Sequence, residues 1–162
     1  MPPRRVIAER HFELSGTWTG TYSISSCWPE AAPNSCTGYA KPGTLTLALV
    51  NTGSSLIGTF NSDLLGTLDV AGTVDASGAV TLSGERQGIL NCFSVGPIIT
   101  GVTGGIGDWS ASITRTGAIA GSFKQMARQR VSSCYYAMFE YTTQVAELRR
   151  DPPPTRSAID QP

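Results

Sequence analysis

Charge is scarce in this 162-residue chain. Only 15% of its residues are Asp, Glu, Lys or Arg, and 12 cations balance 12 anions. A surface built to hold nucleic acid needs a basic excess, so that class of partner is excluded. Histidine is almost absent. The single residue, His11, precedes the first patterned segment, which leaves no Ser-His-Asp or Cys-His arrangement to activate a nucleophile. The four cysteines contain no C-x-x-C pair, so neither a zinc ribbon nor a dithiol redox site is expected. The glycine-rich run Gly101–Gly107 has no lysine and no following helix, and thus lacks the parts of a phosphate loop. No apolar run approaches the ~20 residues of a membrane-spanning helix. No catalytic group, metal site or cofactor is expected from these residues.

What the chain has in quantity is glycine (18), threonine (18) and serine (17), residues of turns and strands rather than helices. Apolar and polar residues alternate with period two over 16–25, 43–50, 55–61, 66–75, 79–87, 108–115, 118–126 and 134–146. Eight such segments at short spacing predict an all-β fold. An antiparallel up-and-down meander of eight strands closes most simply into a β-barrel, which leaves no exposed edge. Alternate connections then share an end. Asn51–Ser54, Asp75–Gly78 and Thr116–Gly117 give one end short hairpin turns. Residues 26–42, 62–65, 88–107 and 127–133 give the other end its loops, three of them long, with Gly101–Gly107 expected to be a mobile loop there. The barrel domain spans 16–147, preceded by an N-terminal arm (1–15) and followed by a disordered, proline-rich tail (148–162).

Alternation also assigns faces. With Trp18 inward, the interior includes Tyr22, Phe60, Arg86, Trp109, Gln125 and Tyr135. Asp69, Glu85 and Glu140 point outward, which separates the carboxylates that acid–base catalysis would pair. Arg86 is the exceptional member, because a guanidinium facing inward needs an anion, a carbonyl cluster or water. Aromatic walls with a few placed polar groups describe a small-molecule pocket, and these six residues are the candidate ligand-binding set. The inward glycines Gly20, Gly58, Gly72, Gly84 and Gly121 remove side-chain volume and favour a cavity. Trp109, Tyr135 and Arg86 are expected at the loop-rich mouth.

Gly16-Thr17-Trp18 at the head of the first strand resembles the G-x-W motif of the lipocalin and related calycin barrels, and the start of avidin-type barrels. The resemblance implies that Trp18 is structural and plugs the closed end. It also implies an arginine after the last strand packing across the indole, and Arg149 or Arg150 stands in that place. No second lipocalin motif is found. Residues 148–162 are too short and proline-rich to supply the helix that lipocalins carry near their C-terminus.

Cys27, Cys36, Cys92 and Cys134 all sit in or beside the long loops. Their setting favours two disulfides, Cys27–Cys36 with Cys92–Cys134, or Cys27–Cys134 with Cys36–Cys92. Disulfides point to a secreted or periplasmic protein. Arg4-Arg5 followed by only Val6-Ile7-Ala8 does not make an export signal, so a removed leader or a misplaced start is needed to reconcile the two. The leading functional expectation is a monomeric barrel binding a small, largely apolar ligand at its loop-rich end. The alternatives are a protein-interaction module, such as a barrel-type protease inhibitor presenting its N-terminal arm, and less readily a barrel isomerase.

Overall fold

The computed structural model of the chain describes residues 12–28, 41–90, 99–132 and 135–151. Eight strands follow in chain order: β1 (Gly16–Trp28), β2 (Gly43–Thr52), β3 (Ser55–Ser62), β4 (Gly66–Val74), β5 (Ala79–Leu90), β6 (Ile99–Ile113), β7 (Ile119–Ser132) and β8 (Tyr135–Arg150). Each pairs antiparallel with its sequence neighbour, and β8 returns to β1, so the sheet closes into an up-and-down barrel. The described residues contain no helix.

The short turns lie together at the closed end. Gly53, Gly78 and Gly117 take positive φ values of 59°, 89° and 83°, which these two-to-five-residue hairpins require and glycine tolerates without strain. Asp75 holds the second turn through Oδ1, which accepts from the Ser77 hydroxyl at 2.5 Å and from the Ser77 and Ala79 amides at 2.8 and 3.0 Å. These bonds favour its ionised form and lower its pKa.

The interior follows the alternation with few exceptions. Trp18, Leu47, Phe60, Tyr141 and Leu148 have essentially no exposed surface, and Leu45, Leu49, Leu56, Leu68, Val70, Val80, Leu82, Ile106, Ile119 and Phe123 are buried around them. Bulges shift the phase. In β6 the pairing with β7 breaks between Gly107 and Ser110, where Asp108 takes φ 53°. Ile106 therefore faces inward above the bulge and Trp109 and Ala111 below it. In β1 a shift between Ile24 and Ser26 turns Cys27 into the core.

Several expectations about the open end require correction. Residues 88–107 are not one loop: β5 runs to Leu90 and β6 begins at Ile99, so Gly101–Gly107 is paired strand rather than mobile loop. Residues 127–132 belong to β7, which leaves only 133–134 between it and β8. Glycine disguised the first of these segments, because a strand wedged against a crowded neighbour does not need large side chains. Alternation continued from Trp109 points Arg115 inward, but it lies beyond the end of β6 and is exposed.

The inward glycines do not hollow the barrel. A Cβ added to Gly58 would lie 1.9 Å from the Ala48 carbonyl oxygen, and one on Gly72 would lie 1.7 Å from that of Thr81. Gly20, Gly84 and Gly121 likewise face the backbone of an adjoining strand at 2.1–2.5 Å. Strands that coil tightly enough to close an eight-membered barrel press their backbones together diagonally, and glycine marks those contacts.

Candidate functional site

The closed end is sealed by the segment before β1. Leu14 is buried beneath the barrel, and its amide donates to Asn51 Oδ1 at 2.7 Å. The Trp18 indole Nε1 donates to the Leu14 carbonyl at 2.9 Å. The Arg150 guanidinium carbon lies 4.6 Å from the Trp18 ring centroid, and its Nη2 donates to the Glu13 carbonyl. Of the two arginines after the expected strand end, Arg150 thus covers the indole, while Arg149 points out to Glu147 at 2.8 Å. β8 continues through both rather than stopping near 147, and the Asp151 amide still bonds to Thr17 O at 2.8 Å, so residues 148–151 belong to the barrel rather than to a tail. Residues 12–15 of the expected N-terminal arm are likewise part of the floor. Gly16 sits over the Arg150 side chain with φ 131°.

Above the floor the core is aromatic. The Trp109 ring stacks on Phe123 with centroids 4.4 Å apart and planes 10° from parallel, and Phe123 meets Phe60 edge-on at 5.8 Å. This corrects the level expected for Trp109. Because β6 starts nine residues earlier than its alternation suggests, Trp109 stands four residues from the closed end and ten from the open one. Its Nε1 is buried with no hydrogen-bond partner among the described residues. Trp109 and Tyr135 are therefore at opposite levels. Tyr135 begins β8 at the mouth, and its side chain lies outside the described residues.

A polar layer crosses the barrel over these rings. Ser62 Oγ donates to Gln125 Oε1 at 2.6 Å, Gln125 Nε2 donates to Thr143 Oγ1 at 3.2 Å, and Thr143 Oγ1 donates to the Tyr141 carbonyl at 3.0 Å. The Leu65 amide donates to Ser62 Oγ at 3.0 Å. All three side chains are at most 2% exposed, so each bond replaces one to water that burial removed. Tyr22 joins the layer through Gln125. Burial, the dominant cause, raises its phenol pKa against that hydrogen bond, so the hydroxyl stays neutral. Alternation singled out Gln125 and Tyr22; Ser62 and Thr143 were missed because serine and threonine are everywhere in this chain.

Arg86 stands one level higher, inward and half-buried. Nη1 donates to the Leu65 carbonyl at 2.5 Å and to the Thr67 carbonyl at 3.5 Å, and Nε faces Thr103 Oγ1 at 3.4 Å. Its removal would leave the Leu65 oxygen without this donor. Nη2 has no acceptor among the described residues and lies 3.5 Å from where a Gly104 Cβ would project. The interior at this level is lined by small groups, Gly104 paired with Ala127, and Ala137 one step beyond, with Phe139 and Leu65 as apolar walls. The six candidate residues thus divide. Tyr22, Phe60, Trp109 and Gln125 form a packed lower core, Arg86 belongs to the mouth half, and Tyr135 heads its last strand.

No known protein family, curated protein or solved structure matches the chain. The site is therefore read from its own geometry. Cys27, buried near the mouth end of β1, carries no free thiol. Cys36, Cys92 and Cys134 lie outside the described residues, as do both expected pairings. Among the described residues no group of three His, Cys, Asp or Glu side chains is placed to hold a metal ion, and no helix is long and apolar enough to cross a membrane.

Proposed function

We propose that the barrel is a lipocalin-like binding protein that takes a small, largely apolar molecule into its mouth half. The observation that carries this reading is the step in side-chain size across the polar layer. Below it the interior is filled by Trp18, Phe60, Phe123 and Trp109. Above it the inward positions are Gly104, Ala127 and Ala137, walled by Phe139 and Leu65. A ligand seated there would rest on the Ser62–Gln125–Thr143 layer and meet Arg86 Nη2 as a cationic contact. The guanidinium over Trp18 supports the lipocalin resemblance, which concerns the floor and not the ligand. Paired cysteines around the mouth, with export to an oxidising compartment, complete the reading.

Nile red fluorescence titration tests it. Saturable binding is expected in the wild type. Ala127→Phe, which fills the space, should weaken binding at least tenfold with the strand spectrum intact, whereas Trp109→Phe, below the polar layer, should leave the affinity unchanged. Absence of saturable binding by Nile red and by other apolar fluorophores, or an Ala127→Phe variant that binds normally, overturns the proposal.

A further inference from the structure

One paired row crosses the mouth half from strand to strand. Arg86 on β5 pairs with Gly104 on β6, Gly104 with Ala127 on β7, and Ala127 with Phe139 on β8. Residues directly opposite each other share a face, so all four positions lie on the inner side with the buried Ala127 and Phe139. Neighbouring strands lie about 4.8 Å apart, so the row covers about 14 Å of sheet. It has a cation at one end, an aromatic ring at the other, and only the Ala127 methyl group between them.

The Arg86 charge has no counter-ion among the described residues. The ion pairs there join Lys124 to Asp108 and Glu140, and Arg149 to Glu147. Asp69 on β4 and Glu85 beside Arg86 alternate to the outer face and are exposed. Neutral acceptors hold the guanidinium instead. Nη1 donates to the Leu65 carbonyl at 2.5 Å, and Nε faces Thr103 Oγ1 at 3.4 Å. The Thr103 hydroxyl in turn donates to the carbonyl of Arg86 itself at 3.1 Å, which ties the group that orients the side chain to the strand that carries it. Nη2 is left over the bare backbone of Gly104, 3.5 Å from where a Cβ would stand.

This arrangement discriminates between head groups. A neutral molecule lying along the row would strip water from the guanidinium and return no charged acceptor. A single carboxylate returns a charge-assisted bond at Nη2 and cancels the charge. A doubly charged head would leave one negative charge uncompensated in a half-buried site.

We infer that the ligand of the mouth half is an apolar monocarboxylate, its head on Arg86 Nη2 and its body laid over Gly104 and Ala127 towards Phe139, with Thr103 as the positioning residue for the guanidinium. This rests on the ligand-binding reading above and names the ligand class which that reading leaves open. A hydrogen bond from a charged donor separates two heads on the same chain, so the carboxylate should bind about ten- to a hundredfold more tightly than the alcohol.

Isothermal titration calorimetry with decanoate and decanol at neutral pH tests it, beside the Nile red titration. The wild type is expected to bind decanoate at least tenfold more tightly than decanol, a comparison that needs no variant to fold. Arg86→Met should close the gap to within about threefold, and Thr103→Val, which keeps the guanidinium but frees it, should narrow it. Equal affinities in the wild type, or a gap that survives in Arg86→Met, overturn the carboxylate assignment while the ligand-binding reading stands. An unaltered gap in Thr103→Val overturns the positioning role. If decanoate, decanol and Nile red all fail to bind, the ligand-binding reading falls and this inference falls with it.

Discussion

Replacing Gly58 by alanine adds one methyl group to a barrel whose glycines look, from composition, like spare volume. The geometry says otherwise. The new Cβ would stand 1.9 Å from the Ala48 carbonyl oxygen and 3.0 Å from the Leu49 Cα. Carbon approaches a carbonyl oxygen no nearer than about 3.3 Å, so β2 and β3 must part by about 1.4 Å. That stretch takes a ladder bond of ~2.9 Å past hydrogen-bonding range. One or two lost bonds at ~1 kcal/mol each, with overpacking strain of ~1–3 kcal/mol, give a cost of ~2–5 kcal/mol. The reduced chain entropy of alanine returns only ~0.4–1 kcal/mol. The net loss, ~2–4 kcal/mol, is a large share of the ~5–15 kcal/mol that holds an ordinary domain. Gly101 is the internal control. It has open space around the added methyl and no positive φ, so Gly101→Ala should be neutral or stabilising by up to ~1 kcal/mol. Urea unfolding followed by tryptophan emission gives both values by linear extrapolation. A Gly58→Ala protein as stable as the wild type would show that the glycines leave room after all, and the account of the closed barrel would fail with it.

Other outcomes follow from the same contacts. Trp18→Ala should cost ~3–5 kcal/mol in urea unfolding, while Arg150→Met should cost only ~1–2 kcal/mol from the lost cation–π and carbonyl contacts. Arg86→Ala should cost ~1–3 kcal/mol, because the Leu65 oxygen loses its donor; no measurable loss would make that bond ornamental. Asp75 has a lowered pKa in the fold, so its contribution is complete above the ordinary aspartate range and fades as pH falls through its folded value. Asp75→Asn should therefore lose less stability than the wild type between pH 5 and pH 2, by comparison of urea midpoints. Peptide mapping without reductant should give Cys27–Cys36 with Cys92–Cys134, or Cys27–Cys134 with Cys36–Cys92; four alkylatable thiols in protein expressed in an oxidising compartment would refute both.

The parts of this fold that could be read from sequence are those where alternation runs unbroken. β2, β3 and β4 keep strict period two, and Leu45, Leu47, Leu49, Leu56, Phe60, Leu68 and Val70 all point where the pattern sends them. β6 could not be read because its upper half is Gly101, Gly104, Gly105 and Gly107, whose absent side chains carry no periodic signal. The lost start displaced Trp109 from the lower core to the mouth. The choice between Arg149 and Arg150 needed the register shifts where β8 meets β1, which no spacing reveals. The role of the inward glycines was invisible for a different reason: composition counts the volume a residue lacks, not the neighbouring backbone that occupies it. Arg86 was recognised as needing a carbonyl cluster, water or an anion, and carbonyls of the β3–β4 turn and β4 meet it.

The seam between β1 and β8 has a consequence for how the molecule is made. Trp18 pairs with Arg150 and Thr19 with Arg149, so the first strand waits for the last before its outer edge is covered. The Arg150 guanidinium that roofs Trp18, and the Asp151 amide that bonds to Thr17, are synthesised only after every other strand of the barrel. Until then the nascent sheet is an open ribbon with an unpaired β1 edge and an uncapped indole, the species most prone to pair with another chain. Such late, long-range closure makes folding slow relative to helical proteins of this size. The same adjacency joins the two ends of the barrel in space, so a permuted chain that links residue 151 to residue 12 and opens at Gly53 would build β8 and β1 consecutively and move the long-range closing seam to β2 and β3.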